Sequence, residues 1–463
     1  MTQVEADRGS AATDRGHRRL VLALASAAMA MVGLDTAIVN VGVPSIQRDL
    51  GIGNGTVQWV VVVYGLLLGG FLLVGGRMAD HFGRRRMFVL GLGVFTVASF
   101  LSGASNGADV LIAARALQGF GAAMIAPAAL ALLAVTFAEG AERDRALGIF
   151  GAVGAAAGSV GVVAGGLLAG GPGWRWSFFI NVPVGVAGVV IAVIYLRRDQ
   201  VTDRGAKLDL AGATTVTGGL LLAVYALHHA AQHRWTSVSS LALAAAAAVL
   251  LATFVWIERR SVAPLVPGST LKNRTLVIAN LTAFLAYCSL LAFIFIGSLL
   301  MQQQLGYSPT KTGLSWLTTT VTVVVVATVS SRFVGRVGVR GMLLAGLIVI
   351  AAGTLWLTRL PADADYVIDL VPAFLLVGAG FGLCGPALQI GALSGVAGED
   401  SGLASGLVET MREIGGATGV ATVSTVLVNR AGVDGFHTAF AAIGVLAVAG
   451  ALIAGFGFRR AGR

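Results

Sequence analysis

Two charged side chains stand where charge is expensive. Asp35 and Arg115 each lie inside a long apolar run of the 463-residue chain. A charge at the centre of a membrane helix costs about 2.5 to 3.5 kcal/mol on insertion scales, so one that persists has a partner or a task. Asp35 lies seven residues before Gly42, where its run ends, and Arg115 six residues after Asp109, where the other begins. At about 1.5 Å per residue, the two sit roughly 10 Å and 9 Å from the same border. At matching depth they can pair if their helices adjoin, and a carboxylate beside an arginine can switch between paired and protonated states. Proton handling or cation sensing is the chemistry this suggests. The competing reading of Asp35 is a carboxylate that only packs, hydrogen-bonded, near a helix end.

A second constellation is Glu409, Arg412 and Glu413, spaced i, i+3, i+4 on one helix face, where opposite charges can pair. They lie roughly 9 to 15 Å from the inner end of their run. A second proton site, an attraction for a cation, and a self-neutralised cluster are the three readings. Asn40, Gln118, Asn181, Asn280, Tyr287, Gln302 and Gln389 are the polar residues within spans that could line a pathway. Phe284, Phe293 and Phe295 share the run of Tyr287 and read as packing before they read as a stacking wall. His228, His229 and His233 offer at most one pair on a helix face, too few ligands for a metal, and Cys288 and Cys384 are isolated in apolar runs, so no metal site and no disulfide framework is expected.

The elements that must position these residues are membrane helices. The chain is 56% hydrophobic and 12% charged, with mean hydropathy +0.84. A soluble chain carries about twice that charge, and a spanning helix needs roughly 20 apolar residues. Apolar runs of that length recur fourteen times between residues 20 and 457, separated by short Gly, Pro or charged punctuation. The net charge of +10 suggests nucleic acid only if the basic residues cluster on one soluble face. They do not. With the N-terminus inside, 24 of the 32 lysines and arginines fall on inner segments, 6 on outer loops, and 2, Arg115 and Arg412, within spans. Both termini are thus expected in the cytosol, and the first run is expected to be a retained helix, not a cleaved signal. No Gly-Lys pair exists, hence no phosphate-binding loop and no ATP site is expected.

Two glycine patterns stand out. Gly76-Arg77-Met78-Ala79-Asp80-His81-Phe82-Gly83-Arg84-Arg85-Arg86 follows the second run. Gly76 would let a neighbouring helix approach, Asp80 would accept bonds from a helix terminus or an arginine, and Gly83 would permit a tight turn. Gly151, Gly154, Gly158, Gly161 and Gly165 form a seam on one face of the fifth run, expected to press on a helix of the other half, as a gate or as plain packing.

Gly-x3-Asp-x2-Gly-Arg-Arg resembles the loop signature of the major facilitator superfamily, with His81 in place of a usual basic residue. Leu34-Asp35-Thr36-Ala37-Ile38-Val39-Asn40-Val41 resembles the first-helix signature of its fourteen-helix drug/proton antiporter branch, of the bacterial, actinomycete type. Arg115-Ala116-Leu117-Gln118-Gly119 is similar to the fourth-helix motif, whose arginine is associated with proton coupling. Trp174-Arg175-Trp176 with Phe178-Phe179-Ile180-Asn181-Val182-Pro183-Val184-Gly185 is similar to the segment opening the sixth helix, and Glu399-Asp400-Ser401-Gly402 with Gly415-Gly416-Ala417 to the penultimate helix. Gly165-Gly166 matches the glycine pair of the antiporter motif, whose proline falls at Val162. Glu409 and Glu413 replace residues that are usually neutral in the family and are particular to this chain.

The resemblance implies an all-α polytopic membrane protein. A cytosolic tail (1–19) precedes a six-helix bundle (20–196), a linker (197–208), two inserted helices (209–257), a second linker (258–275), a second six-helix bundle (276–457) and a tail (458–463). It implies a bacterial cytoplasmic membrane protein without cofactor that exports amphiphilic drugs or an antibiotic against protons, by alternating access. An importer or facilitator of a small metabolite has the same fold. A membrane enzyme would need a nucleophile and base set that the sequence lacks.

Overall fold

The computed structural model describes residues 2–138, 141–196, 209–233, 236–261, 264, 272–361, 363–393, 401–429 and 432–458. The linker 197–208, residues 262–263 and 265–271 of the second linker, Glu399, Asp400, Arg234, Arg430 and the tail beyond 458 lie outside the described residues, as do the side chains of Asp80, His228 and His233.

Among the described residues every regular element is helical. The first half comprises α1 (Thr2–Leu50), α2 (Asn54–Phe82), α3 (Arg84–Gly103), α4 (Ala108–Thr136), α5 (Ala141–Gly170), α6 (Trp176–Phe179) and α7 (Asn181–Tyr195). Next come α8 (Leu210–His233) and α9 (Val238–Arg260). The second half comprises α10 (Arg274–Leu299), α11 (Pro309–Ser315), α12 (Leu317–Ser331), α13 (Val334–Trp356), α14 (Val371–Leu393), α15 (Ser401–Asn429) and α16 (Val433–Gly457).

Helix starts follow local chemistry. Side-chain oxygens of Ser237, Asn273 and Ser308 accept the first-turn amides of Ser240, Leu276 and Lys311, and Pro309 takes the first position of α11, where its missing N–H is not needed. Asp209 accepts the Gly212 amide at 2.7 Å at the head of α8.

Twelve described segments are long and apolar enough to cross a membrane, α6 with α7 and α11 with α12 each forming one. The sequence predicts fourteen. The two remaining helices are α8, 24 residues with the apolar stretch Thr214–Ala226, and α15, 29 residues with three charges near its middle. Both are packed into the bundle: α8 against α2, α9 and α15, and α15 against α2, α10 and α16.

The two halves repeat a design. Between α2 and α3 only Gly83 intervenes, at φ 98° and ψ 134°, a conformation that a side chain would strain. In the second half the chain breaks at Gly338, φ 79° and ψ 155°. The bundle therefore has a Gly83 end and an opposite Gly51 end, where α1 turns into α2.

Contacts between halves run along α2 and α15, and join α1 to α10 and α5 to α11. The inserted α9 packs on α8 and leaves Leu241, Val249, Val255 and Trp256 exposed, an apolar face suited to lipid.

Candidate functional site

The Asp35 carboxylate is fully buried and accepts three donors. Arg115 Nη1 reaches Oδ2 at 2.5 Å, while Gln118 Nε2 and Asn181 Nδ2 reach Oδ1 at 2.7 and 2.9 Å. Arg115 is 1% exposed and spends its other donors inward, Nε on the Val60 carbonyl at 2.8 Å and Nη1 on Gln118 Oε1 at 2.8 Å. Gln118 Nε2 also meets Ser99 Oγ at 2.9 Å. The guanidinium lies over the Tyr64 ring, 4.0 Å from its centroid, and 5.7 Å from that of Phe178.

Six helices of the first half thus converge on one carboxylate: α1 supplies it, α2 a ring and a carbonyl, α3 a hydroxyl, α4 the arginine and glutamine, α6 and α7 a ring and an amide. Removing either ion from such a site strands the other, which is far costlier than the pair itself. The depth match of Asp35 and Arg115 becomes a direct contact because α4 crosses α1 beside them.

Gln118 and Asn181, expected along a pathway, are buried on Asp35 instead. Gln118 was legible as i+3 from Arg115; Asn181 was not, since its place depends on how α7 docks. Tyr64 is a site residue that the sequence reading did not single out; a tyrosine amid an apolar run is its only signal.

Glu409, Arg412 and Glu413 form the second cluster. Arg412 Nη1 meets Glu409 Oε2 at 2.5 Å and stacks 4.2 Å over the Tyr287 ring of α10. Glu413 faces α2: a Cβ built on Gly65 would stand 3.9 Å from its Oε2, and one on Gly69 3.1 Å from its Cβ. Tyr287 therefore belongs to this cluster, which lies where the halves meet.

The other polar residues separate. Gln302 Nε2 donates to the Val41 carbonyl at 3.1 Å and Gln303 Nε2 to Gln47 Oε1 at 2.7 Å, joining the halves at the Gly51 end. Asn40 and Asn280 donate to carbonyls of their own helices, those of Thr36 and Leu276, and Gln389 is exposed on α14. Phe293 packs against Trp316 and Phe374 at 5.2 and 5.5 Å, inside the second half.

The glycine readings need two corrections. The seam on α5 lies mainly against α1 of its own half: Gly154 meets Met29, Gly161 meets Leu34 and Ala37, and Gly165 meets Ile38. Only its end reaches the other half, where Gly166 abuts Gly313 of α11; Gly151 and Gly158 have no neighbour within 4 Å of a built Cβ. A seam of period 3 to 4 fixes which face packs, and it leaves the partner open. In the loop motif, Gly75 is pressed on the Ala123 carbonyl of α4, whereas Gly76 faces Pro127 at an ordinary 3.6 Å. Arg85 donates to the Val193 carbonyl at 2.5 Å, closing the end of α7. Among the described residues no group of three or more His, Cys, Asp or Glu could hold a metal ion.

Apolar helices in two halves that meet around buried charge are an architecture suited to a membrane transporter. The chain belongs to the Major Facilitator Superfamily, whose profile matches residues 25–420 and 279–463. It is 38% identical over 404 residues to the puromycin resistance protein pur8 of Streptomyces alboniger, covering 86% of this chain and 80% of that protein. It is 36% identical over 426 residues to the cephamycin export protein CmcT of Amycolatopsis lactamdurans, covering 90% and 88%. The tetracenomycin C resistance and export protein of Streptomyces glaucescens is 33% identical over 417 residues, covering 89% and 76%. The crystal structure of a peptide transporter, POT, in complex with sulfate superposes with a TM-score of 0.67 at 16% identity, covering 95% of this chain and 93% of that one, a likeness of fold alone.

Proposed function

We propose that this chain exports an antibiotic or several amphiphilic drugs across the bacterial cytoplasmic membrane in exchange for protons. In this reading the chain crosses fourteen times, α8 and α15 completing the count, with both termini cytosolic. The observation that carries it is the buried Asp35–Arg115 pair. A carboxylate held by one arginine inside the bundle has two forms, ion-paired and protonated, and a change of conformation that parts it from the arginine favours the second. The relatives named for antibiotic resistance and export support the direction and the substrate class.

Alternating access requires the halves to touch at one end and part at the other. Gly166 abuts Gly313 at the Gly51 end, so the halves touch there. The Glu409, Arg412 and Glu413 cluster at the interface is proposed as a second site for a proton or a substrate cation.

The test is a susceptibility panel in a host stripped of its own pumps, with and without a protonophore. Resistance lost with the protonophore and with Asp35→Asn is expected. Resistance that survives both would sink the proton-coupled reading, and drug accumulation in intact cells would mark an importer.

A further inference from the structure

We propose that Asn181 is a positioning residue for proton uptake: its side-chain amide holds the Asp35 carboxylate ionised, so that protonation of Asp35 requires Asn181 to let go. The inference rests on the reading of Asp35 as the proton-carrying group.

Every polar atom contacting the carboxylate is a donor. Oδ2 faces Arg115 Nη1, and Oδ1 faces both Gln118 Nε2 and Asn181 Nδ2. An ionised carboxylate, which only accepts, is satisfied by three donors. A protonated one must place its own O–H against an acceptor, or strand it in a buried site at the cost of an unmade hydrogen bond. At least one of the three partners has to turn or withdraw.

Gln118 is held from both ends. Its Oε1 accepts from Arg115, and its Nε2 also donates to Ser99. Arg115 is held by the Val60 carbonyl and by the Tyr64 ring. The bond described for the Asn181 side chain runs to Asp35 alone.

Its backbone position differs as well. Asn181 is the first residue of α7, and Ile180 before it continues the helical turn of α6 at φ −61° and ψ −28°. Pro183 follows two residues on, without an N–H for the Phe179 carbonyl, so that turn holds one hydrogen bond fewer. The turn before α6 is clamped, because Trp174 Nε1 and Arg175 Nη1 donate to Asp49 Oδ2 at 3.0 and 2.5 Å. A shift of the first turn of α7 at this missing bond would carry Asn181 away from Asp35.

Besides the amides of Gln118 and Asn181, the groups around Asp35 are Arg115 from α4 and Tyr64 from α2, with the non-titrating Ser99 of α3 bonded to Gln118 and Phe178 of α6 beside Arg115. Helix α5 presents Gly161 to the neighbouring turn at Leu34 and Ala37, and Glu413 of α15 stands behind Tyr64, against Gly65.

The experiment uses infrared difference spectra of the purified full chain in bilayers, recorded across pH, with Asp35→Asn identifying the protonated-carboxyl band of Asp35. Asn181→Ala and the isosteric Asn181→Leu both remove the donor, and Leu keeps the volume. In both, the pH of half-maximal band amplitude is expected to move upward by about one unit, because a donor to the charged form has gone. A midpoint unmoved in both variants, or moved in Ala alone, would overturn the proposal in favour of plain packing. If only Leu folds, its midpoint decides. Absence of any Asp35 band would overturn both this proposal and the proton-coupled reading. A shifted midpoint with drug transport indifferent to a proton gradient would overturn that reading alone and leave the role of Asn181 standing.

Discussion

Gly166 of α5 and Gly313 of α11 touch backbone to backbone across the two halves. A Cβ built on Gly166 would stand 2.6 Å from the Cα of Gly313, and one built on Gly313 2.8 Å from the Cα of Gly166. The neighbouring links between Gln47 and Gln303 and between Gln302 and Val41 close the same end.

Closure at this end therefore depends on the absence of side chains at both positions. Gly313→Ala is expected to hold the halves apart there. A cysteine pair at positions 47 and 303 reads this directly, since the native Cys288 and Cys384 are buried and will not compete. Crosslinking should fall about tenfold in the Gly313→Ala background, as for a penalty near 1.4 kcal/mol on the closed state. An unchanged rate would show that the contact yields without cost.

Arg115→Ala leaves Asp35 buried with two neutral donors and no counter-charge, and should destabilise the protein by about 3 to 5 kcal/mol if the carboxylate stays ionised. Arg115→Lys keeps the charge but loses the fork that serves Asp35, Gln118 and Val60 together, so a smaller loss is expected. Thermal unfolding of both variants, alone and combined with Asp35→Asn, checks this: the double variant should recover part of the stability lost in Arg115→Ala.

Glu413→Gln removes a carboxyl that faces α2 at the interface, and with it the capacity to ionise there, without changing side-chain shape. Transport of a lipophilic cation should fall about tenfold relative to a neutral substrate, the equivalent of 1.4 kcal/mol of lost attraction. Equal loss for both substrates would mark Glu413 as part of the coupling machinery or of the packing, not as a contact for cationic cargo.

The loop glycines separate by conformation. Gly83→Ala forces a side chain into φ 98° and should cost about 1 to 3 kcal/mol. Gly76→Ala meets only Pro127 at 3.6 Å and should be neutral or slightly stabilising, within about 1 kcal/mol, because alanine favours the helix. Gly75→Ala should be the harmful neighbour, through the Ala123 carbonyl. Unfolding midpoints of the three variants give the order.

Much of this protein is legible in one dimension because a membrane punishes exceptions. Any apolar run near twenty residues has to be a helix, and any charge within it has to be accounted for, so the spans, Asp35, Arg115 and the Glu409–Arg412 pair can be read without coordinates. Gly83 is legible for a similar reason, since its turn is set by neighbours in the chain. Tertiary structure decided what depends on how helices dock. Periodicity says which residues share a face but not which helix that face meets, so the α5 seam lies mainly on α1, and it is the Gly166–Gly170 end that meets the other half. Likewise a lone polar residue in a span has a depth and no partner until the bundle closes. That is why Asn181 and Tyr64, more than 100 and about 30 residues from Asp35 in the chain, joined its site only in three dimensions.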